Sequence, residues 1–206
     1  MDLEAIYREQ GALLEGHFLL SSGNHSAYYL QSAKVLERPP LAQALASKLA
    51  ELVQANDLKI DCVCAPALGG ILAGYELARA LGARFIFTER VEGAMQLRRG
   101  FGFDRGEVVL VCEDVITTGG SAVESLHCVE AAGARVAGFA SLANRGFCPA
   151  RLPSGEVTTA DATACRLPQE LPLFCLANFA FELYPASNCP LCKDSIAYKP
   201  GSRPSQ

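Results

Sequence analysis

Residues 108–121, Val-Val-Leu-Val-Cys-Glu-Asp-Val-Ile-Thr-Thr-Gly-Gly-Ser, constrain the fold of this chain more than any other stretch. The opening run is apolar throughout and β-branched except at Leu110 and Cys112, the composition of a strand buried on both faces in the middle of a parallel sheet. Two carboxylates, Glu113 and Asp114, follow at the carboxyl end of that strand. Thr117 to Ser121 then form a loop of hydroxyls and glycines, and Ala122, Leu126, Val129 and Gly133 recur at helical spacing beyond it. A strand, a glycine loop and a helix in that order build an anion site. Residues without a Cβ let backbone N–H groups converge, and the start of the helix adds positive potential. Thr117, Thr118 and Ser121 offer further donors to the same oxygens. Carboxylates beside a phosphate would repel it, so Glu113 and Asp114 suit sugar hydroxyls instead, which donate to carboxylate oxygens. The stretch is therefore written for a phosphorylated sugar.

With 206 residues, half of them hydrophobic and 19% charged, the chain is expected to bury one core and form a single domain over 1–206. A net charge of −4 argues against a nucleic-acid partner held through its phosphates. No apolar stretch reaches the roughly 18 residues of a membrane span, and no basic N-terminal region precedes an apolar run. A cytoplasmic protein with no membrane partner is the expectation. The nine cysteines are odd in number, and Cys62, Cys64, Cys112 and Cys175 fall in apolar runs where a thiol acts as a small hydrophobe. A disulfide framework is not expected.

Position by position, Val109 to Ser121 resembles the signature by which type I phosphoribosyltransferases bind 5-phosphoribosyl 1-diphosphate (PRPP): four apolar residues, two acids, two apolar residues, then Thr-Thr-Gly-Gly-Ser. The competing motifs Gly-x-x-x-x-Gly-Lys-Ser/Thr and Gly-x-Gly-x-x-Gly are absent. A second segment narrows the base. Gly16, Phe18, Leu20, Ser22, Gly23, Ser26, Tyr28 and Tyr29 match the N-terminal signature of orotate phosphoribosyltransferases, which purine enzymes do not share. That resemblance implies an α/β fold with a parallel-sheet core flanked by helices, and a small hood formed by about 1–35 and 147–190. It implies transfer of a phosphoribosyl group from PRPP to orotate with Mg²⁺, in a homodimer.

The resemblance also distributes roles. PRPP would be held by Glu113, Asp114, Val115, Ile116, Thr117, Thr118, Gly119, Gly120 and Ser121. The loop Ala67, Leu68 and Gly69, between the short strand Cys62 to Ala65 and a helix through about Leu81, would take the diphosphate. Asp114, Glu113 and Arg90 are the catalytic candidates. Orotate would meet Tyr29, Thr117, Arg145 and Ser21. Departures from the family stand at Ser21 and Gly69, where Lys is usual, at Glu89, where a cation is usual, and at Asn144, where an acid is usual. Arg90 to Phe101 corresponds to a mobile family loop whose cations close over a neighbouring subunit's diphosphate. Here the loop is short and lacks Lys-x-His, leaving Arg98 and Arg99 as replacements, since a guanidinium binds phosphate oxygens bidentately. A solvated basic turn or pairing with Glu92 is the competing reading. Rival functions are a phosphoribosyltransferase for another base and a non-catalytic PRPP-sensing regulator.

Elsewhere the spacing predicts a helix over 2–15 ended by Gly16, a helix from Pro39, a strand from Arg84 to Glu89, a strand from Arg135 to Ala143 and a last strand from Leu173 to Leu183. Residues 147–172 read as a hairpin or insertion of unassigned role, and about 195–206 as a flexible tail. Cys189-Pro190-Leu191-Cys192 is a lone CxxC. Structural zinc takes four ligands, and neither a second CxxC nor paired histidines follow. Cys148 or Cys165 could complete a site; two unmetallated thiols are the competing reading.

Overall fold

A computed structural model describes residues 1–20, 22–159 and 164–200. Ser21 and the tail end 201–206 lie outside the described residues. The chain divides into two units, Met1–Val35 with Ala180–Gln206, and Leu36–Phe179.

In the first unit, helix α1 (Leu3–Glu9) is capped by Asp2, whose Oδ1 accepts from the Ala5 N–H at 3.1 Å. The helix does not run to residue 15 as its spacing predicts. Gly11 turns the chain with a φ of +62°, and Leu13 and Leu14 pair with Leu30 and Tyr29 instead. Strands β1 (Leu13–Leu19) and β2 (His25–Leu30) form an antiparallel hairpin with a register shift between Glu15 and Phe18. The expected flexible tail is pinned at Tyr198, whose N–H donates to the His17 carbonyl while its own carbonyl accepts from the Leu19 N–H, both at 2.8 Å. A short helix α2 (Ala33–Leu36) marks the boundary.

The second unit contains α3 (Pro39–Gln54), β3 (Cys62–Pro66), α4 (Gly70–Leu81), β4 (Arg84–Val91), β5 (Ala94–Leu97), β6 (Val108–Ile116), α5 (Gly120–Ala131), β7 (Arg135–Asn144) and β8 (Leu173–Asn178). Its six-stranded sheet has the order β5-β4-β3-β6-β7-β8, parallel except for the edge strand β5. As its run of apolar residues requires, β6 lies in the middle and is covered on both faces. Val109 and Val111 join Ala122, Leu126 and Val129 of α5 in one core, and Leu110 and Cys112 are buried on the alternate face. Burying each such side chain is worth about 1.5–3 kcal/mol, which is why this strand sets the register of its neighbours. The parallel pairings Ser141–Glu113 and Asn144–Ile116 bring the carboxyl ends of β6 and β7 to one edge.

Four expectations change here. The strand from Arg84 continues to Val91, and the expected loop is a hairpin with β5, closed by Glu92 and Gly93 at φ +49° and +87°. Positive φ at both central residues matches the strand twist; Gly93 adopts it freely, whereas Glu92 is not a residue that favours it. Residues 147–172 belong to this larger unit; around Ser154-Gly155 they make the Arg151–Val157 bridge of a hairpin, and Arg151 also pairs with Phe174. Cys148 and Cys165 are joined by a disulfide, contrary to the cysteine count, and both lie on or against the core that holds Leu167 and Leu173. The last strand stops at Asn178, short of Leu183. No helix among the described residues is long and apolar enough to cross a membrane.

Candidate active site

Chain direction makes the site. In a parallel sheet every strand delivers its loop at the same edge, so the segments after β3, β6 and β7 meet there. Gly119 precedes α5 with φ +80°, a conformation that favours glycine, and a Cβ at this position would lie 2.4 Å from Leu167 Cδ2. Gly119 offers α5 no side-chain cap, so the first turn presents N–H donors beside the loop Thr117 to Ser121, of which that of Ala122 goes to the Glu113 carboxyl.

Beside this loop stand the two acids. The Glu113 carboxyl is pushed up to about 8 by burial and by the like charge of Asp114, opposed by a hydrogen bond from the Ala122 N–H. Asp114 reaches toward the preceding strand's loop: a Cβ on Gly69 would lie 2.9 Å from Asp114 Oδ1. The glycine where the family usually has lysine therefore makes room for this carboxylate. In the same loop the Ala67 N–H donates to the Thr88 carbonyl at 2.8 Å, the Ala67–Leu68 peptide is cis, and Leu68 is 85% exposed.

Arg145 follows β7, with its N–H donating to the Ile116 carbonyl at 2.8 Å, which sets it beside Thr117. Its guanidinium is buried, and that burial lowers its pKa to about 10, so it keeps its charge at neutral pH. The preceding Asn144 is fully buried and donates through Nδ2 to the Cys148 carbonyl at 2.7 Å and to Asn178 Oδ1 at 3.0 Å. An aspartate could make neither bond, which accounts for the departure from the family's acid.

The loop cations lie on the β4–β5 side. Arg90 pairs with Glu124 of α5 at 2.7 Å, and both side chains are half-exposed. Arg99 does not pair with Glu92; it forks onto Glu89 with two bonds of 2.8 Å and lies 5.5 Å from the Phe87 ring centre. The family cation missing at Glu89 is thus replaced by an acid that holds an arginine. Arg98 is exposed. Tyr29 belongs to the other unit, half-buried and tilted against Phe18 with ring centres 5.8 Å apart, while Tyr28 stacks on Phe181 at 4.3 Å.

One residue escaped the sequence reading. The Arg166 N–H donates to the Thr118 carbonyl at 2.8 Å, and its exposed side chain brings Nη1 within 3.6 Å of where a Cβ on Gly120 would stand. The unassigned segment 147–172 thereby delivers a cation to the phosphate loop. Nothing local in the sequence distinguishes it, because its contact is with a distant segment.

The family model for the phosphoribosyl transferase domain matches residues 31–156. The orotate phosphoribosyltransferase of Wolinella succinogenes is 62% identical over 204 residues, 98% of this chain and 98% of that protein. Among solved structures, the orotate phosphoribosyltransferase of Aeropyrum pernix aligns with a TM-score of 0.65 at 24% identity, covering 86% of this chain and 93% of that one. An adenine phosphoribosyltransferase from Thermoanaerobacter pseudethanolicus aligns nearly as well, with a TM-score of 0.60 at 19% identity over 86% of this chain and 100% of that one. The fold is thus common to enzymes for different bases, and the high sequence identity is what separates them.

Proposed function

This chain belongs to the orotate phosphoribosyltransferase family, and from that membership we infer how its residues divide the work of the reaction. The enzyme transfers the 5-phosphoribosyl group from PRPP to orotate, giving orotidine 5′-phosphate and diphosphate, a step of pyrimidine biosynthesis. The observation that carries the assignment of roles is the apposition of Asp114 to Gly69, which joins a sugar-binding pair and a diphosphate loop at one sheet edge.

Bond breaking at the ribose carbon builds positive charge on the sugar, as in glycoside hydrolysis, and needs no protein nucleophile. The protein acts by position and field. Thr117 to Ser121 and the uncapped start of α5 hold the 5′-phosphate, with Arg166 adding a charge-assisted donor. Glu113 and Asp114 accept from the ribose hydroxyls. Backbone amides of Ala67, Leu68 and Gly69 receive the diphosphate in place of the family's lysine. Arg145 grips the orotate carboxylate, and its buried charge is worth more there than in water. The N-terminal signature assigns Tyr29 to the orotate ring, and Ser21 remains a candidate from the sequence alone. Arg90 and Arg99 must leave Glu124 and Glu89 to reach a diphosphate. Exposed pairs of this kind add little net stability, so a polyanion can take their place.

Family membership implies PRPP bound with Mg²⁺, and the donor set fits it. Two adjacent carboxylates offer hard oxygen ligands, and Mg²⁺ usually keeps waters and substrate phosphates beside one or two of these. Asp114, next to the diphosphate loop, would hold it. When bound, the ion neutralises charge on the departing diphosphate.

We assign the homodimer to an apolar face in the larger unit, where Leu68, Leu72 and Tyr75 are 85%, 50% and 55% exposed. Sedimentation of the wild type and of Tyr75→Lys tests it: the expected result is a dimer that the substitution dissociates, and a monomeric wild type rejects it. For the reaction, orotate consumption is followed by absorbance with PRPP and Mg²⁺. We expect turnover by the wild type, reduced about a hundredfold or more in Asp114→Asn. Unimpaired turnover by the variant would remove Asp114 from the site.

A further inference from the structure

We propose that His17, His25, Cys189 and Cys192 form a structural zinc site within the smaller unit. The ligand atoms of these four side chains all lie within 4.8 Å of one another, and no other such group of histidine, cysteine or acidic residues occurs among the described residues. His17 Nε2 is 3.5 Å from Cys189 Sγ and 3.8 Å from Cys192 Sγ, and His25 Nδ1 is 3.4 Å from Cys192 Sγ. Tetrahedral zinc with nitrogen at about 2.0–2.1 Å and sulfur at about 2.3 Å places nitrogen and sulfur ligands about 3.5 Å apart. The three nitrogen–sulfur separations scatter around that value. Of these four separations, that of the two imidazole nitrogens, at 2.8 Å, must open toward about 3.3 Å.

The surroundings prepare the ligands. His17 Nδ1 lies 3.1 Å from the Ser195 carbonyl and 3.0 Å from the Ser195 hydroxyl, and the tautomer with its proton on Nδ1 is the one that serves that carbonyl, an oxygen that can only accept. The lone pair of the neutral ring is then on Nε2, pointing at the other three ligands, the arrangement in which an outer carbonyl fixes the tautomer of a metal-bound histidine. The register shift between Glu15 and Phe18 falls on Gly16 and His17, and a bulge of this kind re-aims a side chain. Leu19 pairs with His25, so His25 shares a face of the hairpin with Leu19 and hence with His17, two residues before it. The cysteines come from the other end of the chain, and backbone bonds hold them there on both sides. Upstream, Tyr184 and His25 exchange hydrogen bonds of 2.8 and 2.9 Å; downstream, Tyr198 pairs with His17 and Leu19 at 2.8 Å.

Binding releases one proton from each thiol and none from the histidines. Two thiolates then balance the dication, and the site is neutral, as its position among three buried ligands requires. Cys192 is exposed and provides the path of entry. The function is mechanical: the ion staples the CxxC of the C-terminal segment to the hairpin that carries Tyr28 and Tyr29, in a unit whose C-terminal piece buries only Cys189 among the described residues.

The test is metal content of the full chain, purified under reducing conditions from zinc-supplemented culture, with a Co²⁺ titration of chelator-treated wild type. We expect about one zinc per chain, a tetrahedral Co²⁺ spectrum with thiolate charge transfer, and a lower melting temperature after chelation. Cys192→Ser and His25→Asn should each weaken zinc binding by more than about tenfold. Cys128→Ser, outside the cluster, should not. Folded, reduced wild type that binds neither Zn²⁺ nor tetrahedral Co²⁺ overturns the proposal, whatever the variants do. So does zinc retained undiminished in both ligand variants.

Discussion

Glu113→Gln separates the charge state of the sugar site from its shape. In the ligand-free protein, burial and the Asp114 charge hold the Glu113 carboxyl at about 8 against an ordinary 4.5, with the Ala122 N–H opposing them. Folding therefore takes up a proton across that window. A raised acid contributes stability that is fully present below its unfolded value and is lost as pH rises through its folded one. The slope within the window is about 1.4 kcal/mol per pH unit, and the whole interval sets a ceiling of about 5 kcal/mol. Part of the side chain still meets solvent, so we expect about half of that ceiling, roughly 2–3 kcal/mol. Urea unfolding of wild type and Glu113→Gln at about pH 5, 6, 7 and 8 would measure it, because the glutamine cannot titrate. The wild type should lose those roughly 2–3 kcal/mol relative to the variant between the two ends. Parallel pH profiles would refute the reasoning. The consequence for function is that Glu113 carries less negative charge toward neutral pH than a free carboxyl would, which lowers the negative potential that polyanionic PRPP meets on entry.

Gly69→Ala should split stability from activity: its φ of −56° accepts alanine, yet the new Cβ displaces Asp114 Oδ1 from 2.9 Å, so kcat/KM falls while thermal stability holds or rises by up to about 1 kcal/mol. Gly119→Ala meets both a φ of +80° and Leu167 Cδ2 at 2.4 Å; a loss of about 1–3 kcal/mol in denaturant unfolding is expected, partly recovered with Leu167→Ala, and no loss would show the loop to be more yielding than described. Asn144→Asp replaces a donor to Cys148 O and Asn178 Oδ1 by an acceptor and should destabilise by about 1–3 kcal/mol, read in the same assay, despite restoring the family's usual residue. Arg166→Ala should raise the KM for PRPP about tenfold with little change in melting temperature, and an unchanged KM would remove Arg166 from the phosphate loop's ligands.

What could be read in the sequence was what is local. The stretch from Val108 to Ser121 carries its own strand, turn and helix start, and the chemistry of its loop follows from residue types within one turn of one another. The hairpin at 90–97 is not legible in the sequence, because only Gly93 of its two turn residues favours positive φ. Helix α1 was extended too far because Leu13 and Leu14 fit a helical spacing as well as a strand, and only their partners Leu30 and Tyr29 decide between the two.

The remaining misses share a physical cause, which is that contacts between distant segments leave no period in the chain. Arg166 reaches the phosphate loop through a backbone bond to Thr118, and Cys148 finds Cys165 across a stretch with no repeating pattern. The CxxC is the sharpest case. Neither a second CxxC nor paired histidines follow it, and Cys148 and Cys165, the cysteines that could complete a site, are committed to each other. The histidines that meet it precede it in the chain, inside a segment already explained as a substrate signature. A residue run that satisfies one function conceals a second, and only the pairing of Tyr184 and Tyr198 with β1 and β2 brings the two ends of the chain close enough to reveal it.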